Sequence, residues 1–451
     1  MVEPAAFTRR ASYGPSSPTV GLHGAKTRQQ IVDSALTCFT ARGLHGTSVD
    51  DIAALAEVSR ATLYQYFDSK ETIFVELMAE SAGELRRVTR SLTALGPTAD
   101  GYDNLYWWLH EWTVVFDHYA PMFIEWMNVN LPNASLRPRL AEFIDIHTKR
   151  FIAALEAGGF EGADPGASSI LATALYSRFN YIRNVYRPGL SDGQLLLSLT
   201  TALQLFLFPA TPAAVLASAP RRAMPHDGTT EEPPPMPDIG PLATLPPRGS
   251  IHRIDPFSGV SPQVAKTVRT LLDAAGRVFA ANGFTASNID RIVTEAQVAR
   301  GTFYRYFNDK LELMVTLAHE AAAEMGPMFI EFPEVANSRD RDVLSAWLRR
   351  FLDVQRTYAG VLRAWTEGSP IEPALLLPAA DVVREMSEAI KATFGPRRDY
   401  PLDRRAAGML FSGLLEHFPN EGLGSKYQPN DDLIIETQLL FIERVMLPPA
   451  H

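Results

Sequence analysis

Residues 59–71 read SRATLYQYFDSKE, and residues 299–310 read ARGTFYRYFNDK. The two stretches share an arginine, a threonine, two tyrosines, a phenylalanine and a lysine at an offset of 240 residues. This offset holds without a gap from Lys26, and after one deletion an offset of 239 continues the match to Asp192. An internal duplication of this length predicts two similar domains in one chain.

The composition narrows the class of protein. The 451-residue chain is 46% hydrophobic and 21% charged, which is typical of a globular protein with buried cores. Its single cysteine, Cys38, excludes an intrachain disulfide and favours a reducing compartment. The longest nearly apolar run, residues 195–208, is shorter than the roughly 20 residues that cross a bilayer, and residues 1–24 lack a signal-peptide core. We therefore expect a cytoplasmic protein with no membrane segment.

The duplication also sets the expected domain boundaries. Residues 209–262 contain 13 of the 33 prolines and no apolar periodicity, which predicts a linker. We expect a flexible tail over residues 1–24, a first domain over 25–208 and a second domain over 263–447. The expected helix-turn-helix regions are about 26–72 and 266–312, and the expected ligand-binding and dimerisation regions are about 73–208 and 313–447.

Each copy begins with an apolar helical face. Ile31, Ala35 and Phe39 recur at four-residue spacing, and the second copy repeats the pattern. Gly43 and Gly283 follow, and a glycine at this point ends a helix in the left-handed conformation. The fold class that these patterns predict is all-α, with two tandem units that each start with a helix-turn-helix.

Polar residues mark the starts of the later helices. Thr47 and Ser287, each three residues before an aspartate, predict the N-caps of the second helices. Asp68 and Asp309, each three residues before a glutamate, predict the caps of the fourth helices. The third helix between them is too short to be stable alone, and its exposed hydroxyl, amide and guanidinium groups suit phosphates and base edges. We call residues 26–72 the first reader and residues 266–312 the second reader.

The two readers resemble the DNA-binding signature of the TetR family of bacterial transcriptional repressors. The match covers about 50 residues in each copy. The resemblance implies that the third helix enters the major groove, and that Thr47, Tyr64 and Lys70 and their counterparts hold the phosphate backbone. The expected DNA-binding residues are Thr47, Ser59, Arg60, Ala61, Thr62, Tyr64, Gln65, Tyr66, Lys70, Ser287, Ala299, Arg300, Gly301, Thr302, Tyr304, Arg305, Tyr306 and Lys310.

The tandem arrangement departs from the family pattern, in which one such domain per chain dimerises. The layout is similar to a few tandem members among actinobacterial regulators of lipid uptake. The resemblance implies that one chain imitates the usual dimer and binds double-stranded operator DNA, most simply as a repressor. We expect a monomer with an intramolecular pseudo-dimer, and the sequence leaves a homodimer open.

The charge distribution agrees with local DNA contact. The net charge of −9 argues against nonspecific coating of nucleic acid. Residues 26–70 nevertheless carry five basic and five acidic side chains, and residues 266–310 carry seven and four. The acidity of the chain therefore lies mainly outside the two readers, as attraction to phosphate requires.

An aromatic segment follows each reader. Single positions fit a helical core as well as a pocket, whereas the whole segment favours an apolar ligand site. The few charges near it favour a hydrophobic effector, fatty-acyl or steroid-like, over a sugar or an ion. The expected ligand-binding residues are Trp108, Trp112, Phe116, Tyr119, Trp126, Met127, Trp347, Phe351, Tyr358 and Trp365.

Enzymatic function finds no support in the sequence. No nucleophile elbow, glycine-rich phosphate loop or paired-cysteine motif occurs. His110 and His118 lie on an aromatic segment without a third ligand nearby, so no metal and no cofactor are expected. The alternative is a helical small-molecule-binding or scaffold protein in which one or both readers no longer bind DNA.

Overall fold

A computed structural model describes residues 22–128, 136–162, 164–186, 190–218, 259, 261–366, 373–394, 402–421 and 424–447. Every regular element in these ranges is a helix, which confirms the predicted all-α class. None of the helices described is both long enough and apolar enough to span a membrane.

Ten helices precede the second copy in the described part of the chain, nine in the first copy and a last, one-turn helix in the predicted linker. They are α1 (Leu22–Gly46), α2 (Val49–Leu55), α3 (Arg60–Tyr64), α4 (Lys70–Ser91), α5 (Ala99–His118), α6 (Ala120–Asn128), α7 (Leu136–Ala157), α8 (Pro165–Tyr186), α9 (Asp192–Leu207) and α10 (Ala213–Leu216). The second copy follows the same order. Its helices are α11 (Pro262–Asn282), α12 (Ile289–Glu295), α13 (Arg300–Tyr306), α14 (Lys310–Ser338), α15 (Arg341–Thr357), α16 (Ala359–Thr366), α17 (Pro373–Thr393), α18 (Arg404–Ser412) and α19 (Asp431–Phe441).

The chain forms two compact units. The first unit comprises residues 1–90 and 111–127 and therefore contains the first reader. The second unit comprises residues 91–110 and 128–451, and it contains the second reader. It also contains the last two long helices of each copy, α8 with α9 and α18 with α19, which we call the closing helices. The boundary passes through α5, so that helix contributes residues to both units.

The first helix of each copy is built as the sequence predicts. Ile31, Ala35 and Phe39 are buried. The Phe39 ring packs edge-on against the Phe74 ring, with 6.0 Å between the ring centroids. Gly43 and Gly283 have positive φ angles of 69° and 76°. A side chain is strained in this backbone conformation, so glycine allows the sharp kink inside α1 at Gly43 and the sharp end of α11 at Gly283.

The N-caps of α2 and α12 lie one residue beyond the predicted positions. The caps are Ser48 and Asn288, whose side chains accept hydrogen bonds from the third amide of each helix. Ser48 also hydrogen-bonds the Asp51 carboxylate, and these bonds hold the pKa of Asp51 well below its usual range. The prediction of Thr47 and Ser287 as caps is wrong, because their hydroxyls turn inward.

Thr47 and Ser287 instead join the second helix to the end of the first. Thr47 Oγ1 donates to the carbonyl oxygens of Gly43, at 2.8 Å, and Cys38, at 3.1 Å. Ser287 Oγ donates to the carbonyl oxygen of Gly283 at 2.6 Å. These buried hydroxyls satisfy carbonyls that the helix end leaves without an intrahelical partner.

The caps of the fourth helices differ between the copies. Asp309 accepts a hydrogen bond from the Glu312 amide at 2.8 Å, which confirms its predicted role as the cap of α14. In the first copy Ser69 Oγ accepts from the Thr72 amide at 3.3 Å, so the cap is Ser69 and the prediction of Asp68 is wrong by one residue. Ser69 occupies the position of Asp309 in the alignment of the copies.

The closing helices of the two copies pack together inside the second unit. α8 and α9 contact α18, and the Phe206 and Phe441 rings meet at 5.4 Å between centroids. α18 continues as a π-helical turn over Gly413–His417, and α19 continues as another over Ile442–Met446. Gly413 lies so close to Leu175 that an added Cβ would be 3.1 Å from the Leu175 Cδ2 atom.

Thr47→Val should loosen the corner between α1 and α2. The substitution keeps the shape of the side chain but leaves the Gly43 carbonyl without its buried donor, at a cost of about 1 to 3 kcal/mol. We expect the amides of residues 49–55 to exchange hydrogen for deuterium about tenfold faster. Thr40→Val is the matched control, because the exposed Thr40 hydroxyl bonds only within its own helix, and it should change exchange little. Equal exchange in both variants would contradict this role of Thr47.

Candidate nucleic-acid interface

The third helix of each reader is short and anchored by one buried residue. α3 begins after Ser59, whose hydroxyl accepts a hydrogen bond from the Thr62 amide at 3.0 Å. α13 begins after Ala299 without a side-chain cap. Leu63 and Phe303 are fully buried at equivalent positions, so the opposite side of each helix faces outward.

A tight turn precedes the third helix in both readers. Glu57 and Gln297 adopt positive φ angles of 52° and 55° in the turn that follows the second helix. The amides of Val58 and Val298 each donate to a carbonyl of the second helix at 3.0 Å. The same backbone path therefore sets the angle between the second and third helices in both copies.

An arginine on each third helix pairs with an aspartate on the second helix. Arg60 Nη1 donates to Asp50 Oδ2 at 2.8 Å, and Arg300 Nη1 donates to Asp290 Oδ1 at 2.8 Å. Each guanidinium also lies over the tyrosine one turn later, with Arg60 5.6 Å from the Tyr64 ring centroid. Each exposed arginine therefore lies between a carboxylate and a tyrosine ring on the outer face of the reader.

Sequence reasoning missed this role of Asp50 and Asp290, which it treated only as acids near a helix start. The signal that could have found them is the repetition of an acid and an arginine ten residues apart in both copies. A carboxylate on a surface that meets phosphate is otherwise unfavourable. Its pairing with the arginine gives a reason for it to be there.

The lysine at the start of each fourth helix holds the loop before the second helix. Lys70 Nζ donates to the carbonyl oxygens of Leu44 and Thr47, both at 2.8 Å. Lys310 Nζ donates to the carbonyl oxygens of Phe284, at 2.8 Å, and Ser287, at 2.9 Å. In each reader, the ammonium group thus ties the start of the fourth helix to the chain just before the second helix through charge-assisted hydrogen bonds.

The structure brings the three expected phosphate-binding residues of the first reader together. Thr47, Tyr64 and Lys70 line one open groove on the surface of the first unit. Tyr64 is 39% exposed, whereas Thr47 is buried and points its hydroxyl inward. In the second reader Tyr304 is 48% exposed and Ser287 is buried.

The remaining expected DNA-binding residues divide by exposure. The exposed residues are Ser59, Arg60, Ala61, Ala299, Arg300, Gly301 and Arg305. The half-buried residues are Thr62, Gln65, Tyr66, Lys70, Thr302, Tyr306 and Lys310. Phe67 and Phe307, which follow the third helices, are buried and belong to the cores of the readers.

The expected ligand residue Trp108 belongs to a buried aromatic cluster of the second unit. Its ring stacks on His147 at 5.7 Å and meets the Tyr176 ring edge-on at 5.5 Å. His147 Nε2 and the Tyr176 hydroxyl are 2.7 Å apart, and burial lowers the pKa of His147 to about 4. The hydroxyls of Thr148 and Ser169 are buried without a hydrogen-bond partner among the described residues.

The other expected ligand residues of the first copy belong to the first unit. Trp112, Phe116 and Tyr119 are buried, and the Phe116 ring stacks on the Phe123 ring at 4.9 Å. The side chains of Trp126 and Met127 lie outside the described residues.

The expected ligand residues of the second copy are buried in an aromatic core. Trp347 stacks on Phe351 at 5.4 Å, and its Nε1 atom donates to the Met328 carbonyl oxygen at 3.1 Å. The Tyr358 hydroxyl donates to a carboxylate oxygen of Glu324 at 2.8 Å, and burial, reinforced by this bond, raises the pKa of Tyr358. Trp365 is also buried. No group of histidine, cysteine and acidic side chains suited to a metal ion occurs within the described ranges.

Comparison with known proteins agrees with this geometry. Residues 31–77 and 271–317 both match the family of bacterial regulatory proteins called the tetR family. Each matched segment runs from the first helix through the third and into the fourth, so both readers are TetR-type helix-turn-helix units.

Two regulators illustrate the similarity. The chain is 35% identical over 69 residues to the uncharacterized HTH-type transcriptional regulator YdgC of Bacillus subtilis (strain 168), a match that covers 15% of this chain and 35% of YdgC. It is 28% identical over 135 residues to the biofilm operon icaADBC HTH-type negative transcriptional regulator IcaR of Staphylococcus aureus (strain Newman), covering 26% of this chain and 69% of IcaR. The chain thus spans about a third of YdgC and just over two thirds of IcaR. The chain therefore carries two TetR-type DNA-binding regions in tandem, and it is similar to DNA-binding transcriptional regulators of this family.

Lys310→Met should loosen the second reader without altering its exposed face. Methionine keeps the length of the side chain but cannot donate to the carbonyls of Phe284 and Ser287, and hydrogen bonds from a charged group contribute about 1.5 to 3 kcal/mol each. We expect faster deuterium exchange across residues 284–306. Lys391→Met is the control, because its exposed pair with Glu388 contributes little, and unchanged exchange in Lys310→Met would exclude the loop-holding role.

Proposed function

We propose that the protein is an effector-responsive repressor in which one chain supplies both readers of a non-palindromic operator. The observation that carries this proposal is the repetition of one reader framework with different outward side chains. Both readers keep the arginine–aspartate pair and the lysine bonds to the loop. Such retention favours working readers over the alternative of a scaffold whose readers no longer bind DNA.

The proposed DNA contacts fall into two kinds. Tyr64 and Tyr304 are exposed and contact phosphates, together with the loops that Lys70 and Lys310 hold. Such contacts position the reader without selecting a sequence. The outward residues of α3 and α13 contact base edges in the major groove. Asp50 and Asp290 act by keeping Arg60 and Arg300 oriented before DNA arrives, which reduces the ordering cost of binding.

The readers differ where they would read bases. Gln65 in the first reader corresponds to Arg305 in the second, and Ala61 corresponds to Gly301. A glutamine can bond both edge groups of adenine, whereas an arginine fits the two acceptors of guanine. Identical subunits require a palindromic operator, and this chain has no such symmetry. We therefore assign a guanine-containing half-site to the second reader and a different, adenine-containing half-site to the first.

Exchange of the two residues should exchange the half-sites. In a selection from random DNA, the wild-type chain should recover an asymmetric motif, and the double variant Gln65→Arg, Arg305→Gln should recover it with the preferences reversed. Each bidentate contact discriminates by about 1 to 3 kcal/mol, so the preference at one base should change about 5- to 150-fold. Glu57→Gln, a substitution in the exposed turn, is the control and should leave the motif unchanged. Recovery of perfect palindromes by the wild-type chain would contradict the proposal.

We assign the effector site to the aromatic cluster around Trp108. This cluster combines apolar ring faces with the His147–Tyr176 hydroxyl pair, and nearby helices carry the unpartnered hydroxyls of Thr148 and Ser169. In the second copy, the equivalent Trp347 packs among phenylalanine rings. Rings with a few polar groups suit a hydrophobic effector that ends in one polar group, fatty-acyl or steroid-like. An effector releases DNA when it binds more tightly to the conformation with lower DNA affinity. The DNA affinity then falls by the difference between the effector's binding free energies for the two conformations.

Thermal unfolding in the presence of palmitoyl-coenzyme A or a cholesterol-derived ketone tests the effector class. A ligand at 100 times its Kd stabilises the protein by about 2.7 kcal/mol, so the unfolding midpoint should rise with one of the two probes. Tyr176→Phe should weaken binding of that probe about tenfold, because the hydroxyl is lost. Tyr102→Phe removes a comparably buried hydroxyl, bonded to Thr201, and should not weaken it. A midpoint that neither probe shifts would count against the assignment.

A further inference from the structure

The closing helices of the two copies are joined by an ion pair that only one arrangement can form. Arg178 Nη2 of α8 lies 3.3 Å from Glu416 Oε2 in the π-helical turn after α18, and the Arg178 side chain is only 8% exposed. Ser412 Oγ also donates to Glu416 Oε2 at 3.0 Å. With the offset of 239, Arg178 corresponds to His417, and Glu416 corresponds to Ser177. The corresponding contact with the two copies exchanged would join His417 to Ser177, so the first copy offers no carboxylate there.

A second cation crosses between the copies at the end of the chain. Arg444 Nη1 donates to the Phe206 carbonyl oxygen at 2.8 Å, and Arg444 Nη2 donates to the Glu161 carbonyl oxygen at 2.7 Å. The first bond satisfies a carbonyl in the last turn of α9, which lacks an intrahelical donor. Arg444 corresponds to Leu205, which cannot donate, so the first copy cannot provide this contact to a copy of itself.

A third asymmetric contact involves the loop before α19. Asp145 of α7 accepts hydrogen bonds from Ser425 Oγ at 2.7 Å and from the Lys426 amide at 3.1 Å. Asp145 corresponds to Arg384, which pairs with Asp381 of its own helix at 2.6 Å. An arginine at this position cannot accept the two bonds, so the second copy cannot replace the first.

We propose that these contacts form a heterotypic pairing surface, which selects the chain's other copy as its partner and rejects a like copy from a second chain. Two first copies would bury Arg178 against Ser177, with no carboxylate available. An unpaired cation at a nearly water-free contact is strongly unfavourable, whereas its attraction to Glu416 in the unlike pair compensates its desolvation. Pairing between unlike copies is thus favoured, because pairing between like copies would leave Arg178 buried without a carboxylate. This inference goes beyond the proposed function, because the choice of partner does not depend on DNA or effector.

Charge reversal in the full-length chain tests the surface without DNA. Glu416→Arg sets two arginines against each other and should lower the unfolding midpoint by about 5 °C. Adding Arg178→Glu restores opposite charges in the reverse direction and should recover most of that loss. Arg349→Glu is the control, because Arg349 forms an exposed pair with Asp432 within the second copy, and it should change the midpoint little.

A second variant tests the choice of partner directly. The wild-type chain should sediment at equilibrium with the mass of one chain, 49.8 kDa. Ser177→Glu with Glu416→Arg gives the first copy both members of the ion pair and removes the carboxylate from the second copy. Two first copies can then form the pair reciprocally, so this variant should sediment with about twice the wild-type mass.

Circular dichroism should confirm that each variant keeps its helix content. If Glu416→Arg does not fold, Arg444→Leu replaces it, since this substitution installs the residue of the first copy and should lower the midpoint in the same direction. Failure of Arg178→Glu to rescue Glu416→Arg, or a one-chain mass for the Ser177→Glu, Glu416→Arg variant, would overturn the proposal. Neither readout involves DNA, so such a failure is distinct from a failure of operator reading.

Discussion

A helix of five or seven residues does not hold its shape in water, and both recognition helices of this protein are that short. Their geometry depends on groups outside them. One buried residue, Leu63 or Phe303, attaches each helix to its core, and a lysine from the fourth helix fixes the preceding loop by bonds to backbone carbonyls. In the proposed function, the outward side chains read DNA only while these bonds keep the helix in place. The same framework occurs in both copies, although their outward residues differ.

Much of this arrangement could be predicted from the sequence. The duplication, the four-residue apolar spacing and the glycines Gly43 and Gly283 depend on local pattern, and local pattern determines where helices begin and end. The prediction failed by one residue at Thr47 and Ser48. Both side chains carry a hydroxyl, and only the tertiary structure shows which one faces the buried carbonyls of α1. The acceptors of Lys70 lie 23 and 26 residues away in sequence, so no local pattern could reveal them.

The aromatic segments illustrate a different limit of sequence reasoning. Trp108 and Trp347 occupy equivalent positions and are equally buried, yet their surroundings differ. Trp108 packs against a histidine–tyrosine pair, whereas Trp347 packs among phenylalanines. The partners come from other helices, so the sequence around each tryptophan cannot distinguish a polar cluster from a filled core. This divergence is the reason for assigning effector binding to the first copy and a structural role to the second.

In the proposed function, one chain supplies both readers of one operator. Native mass spectrometry of the protein with its selected operator duplex tests it most directly, because the mass counts the chains in the complex. We expect one chain of 49.8 kDa per duplex, with both half-sites protected in a parallel footprint. A complex of two chains on one duplex, with a single half-site contacted by each, would contradict it.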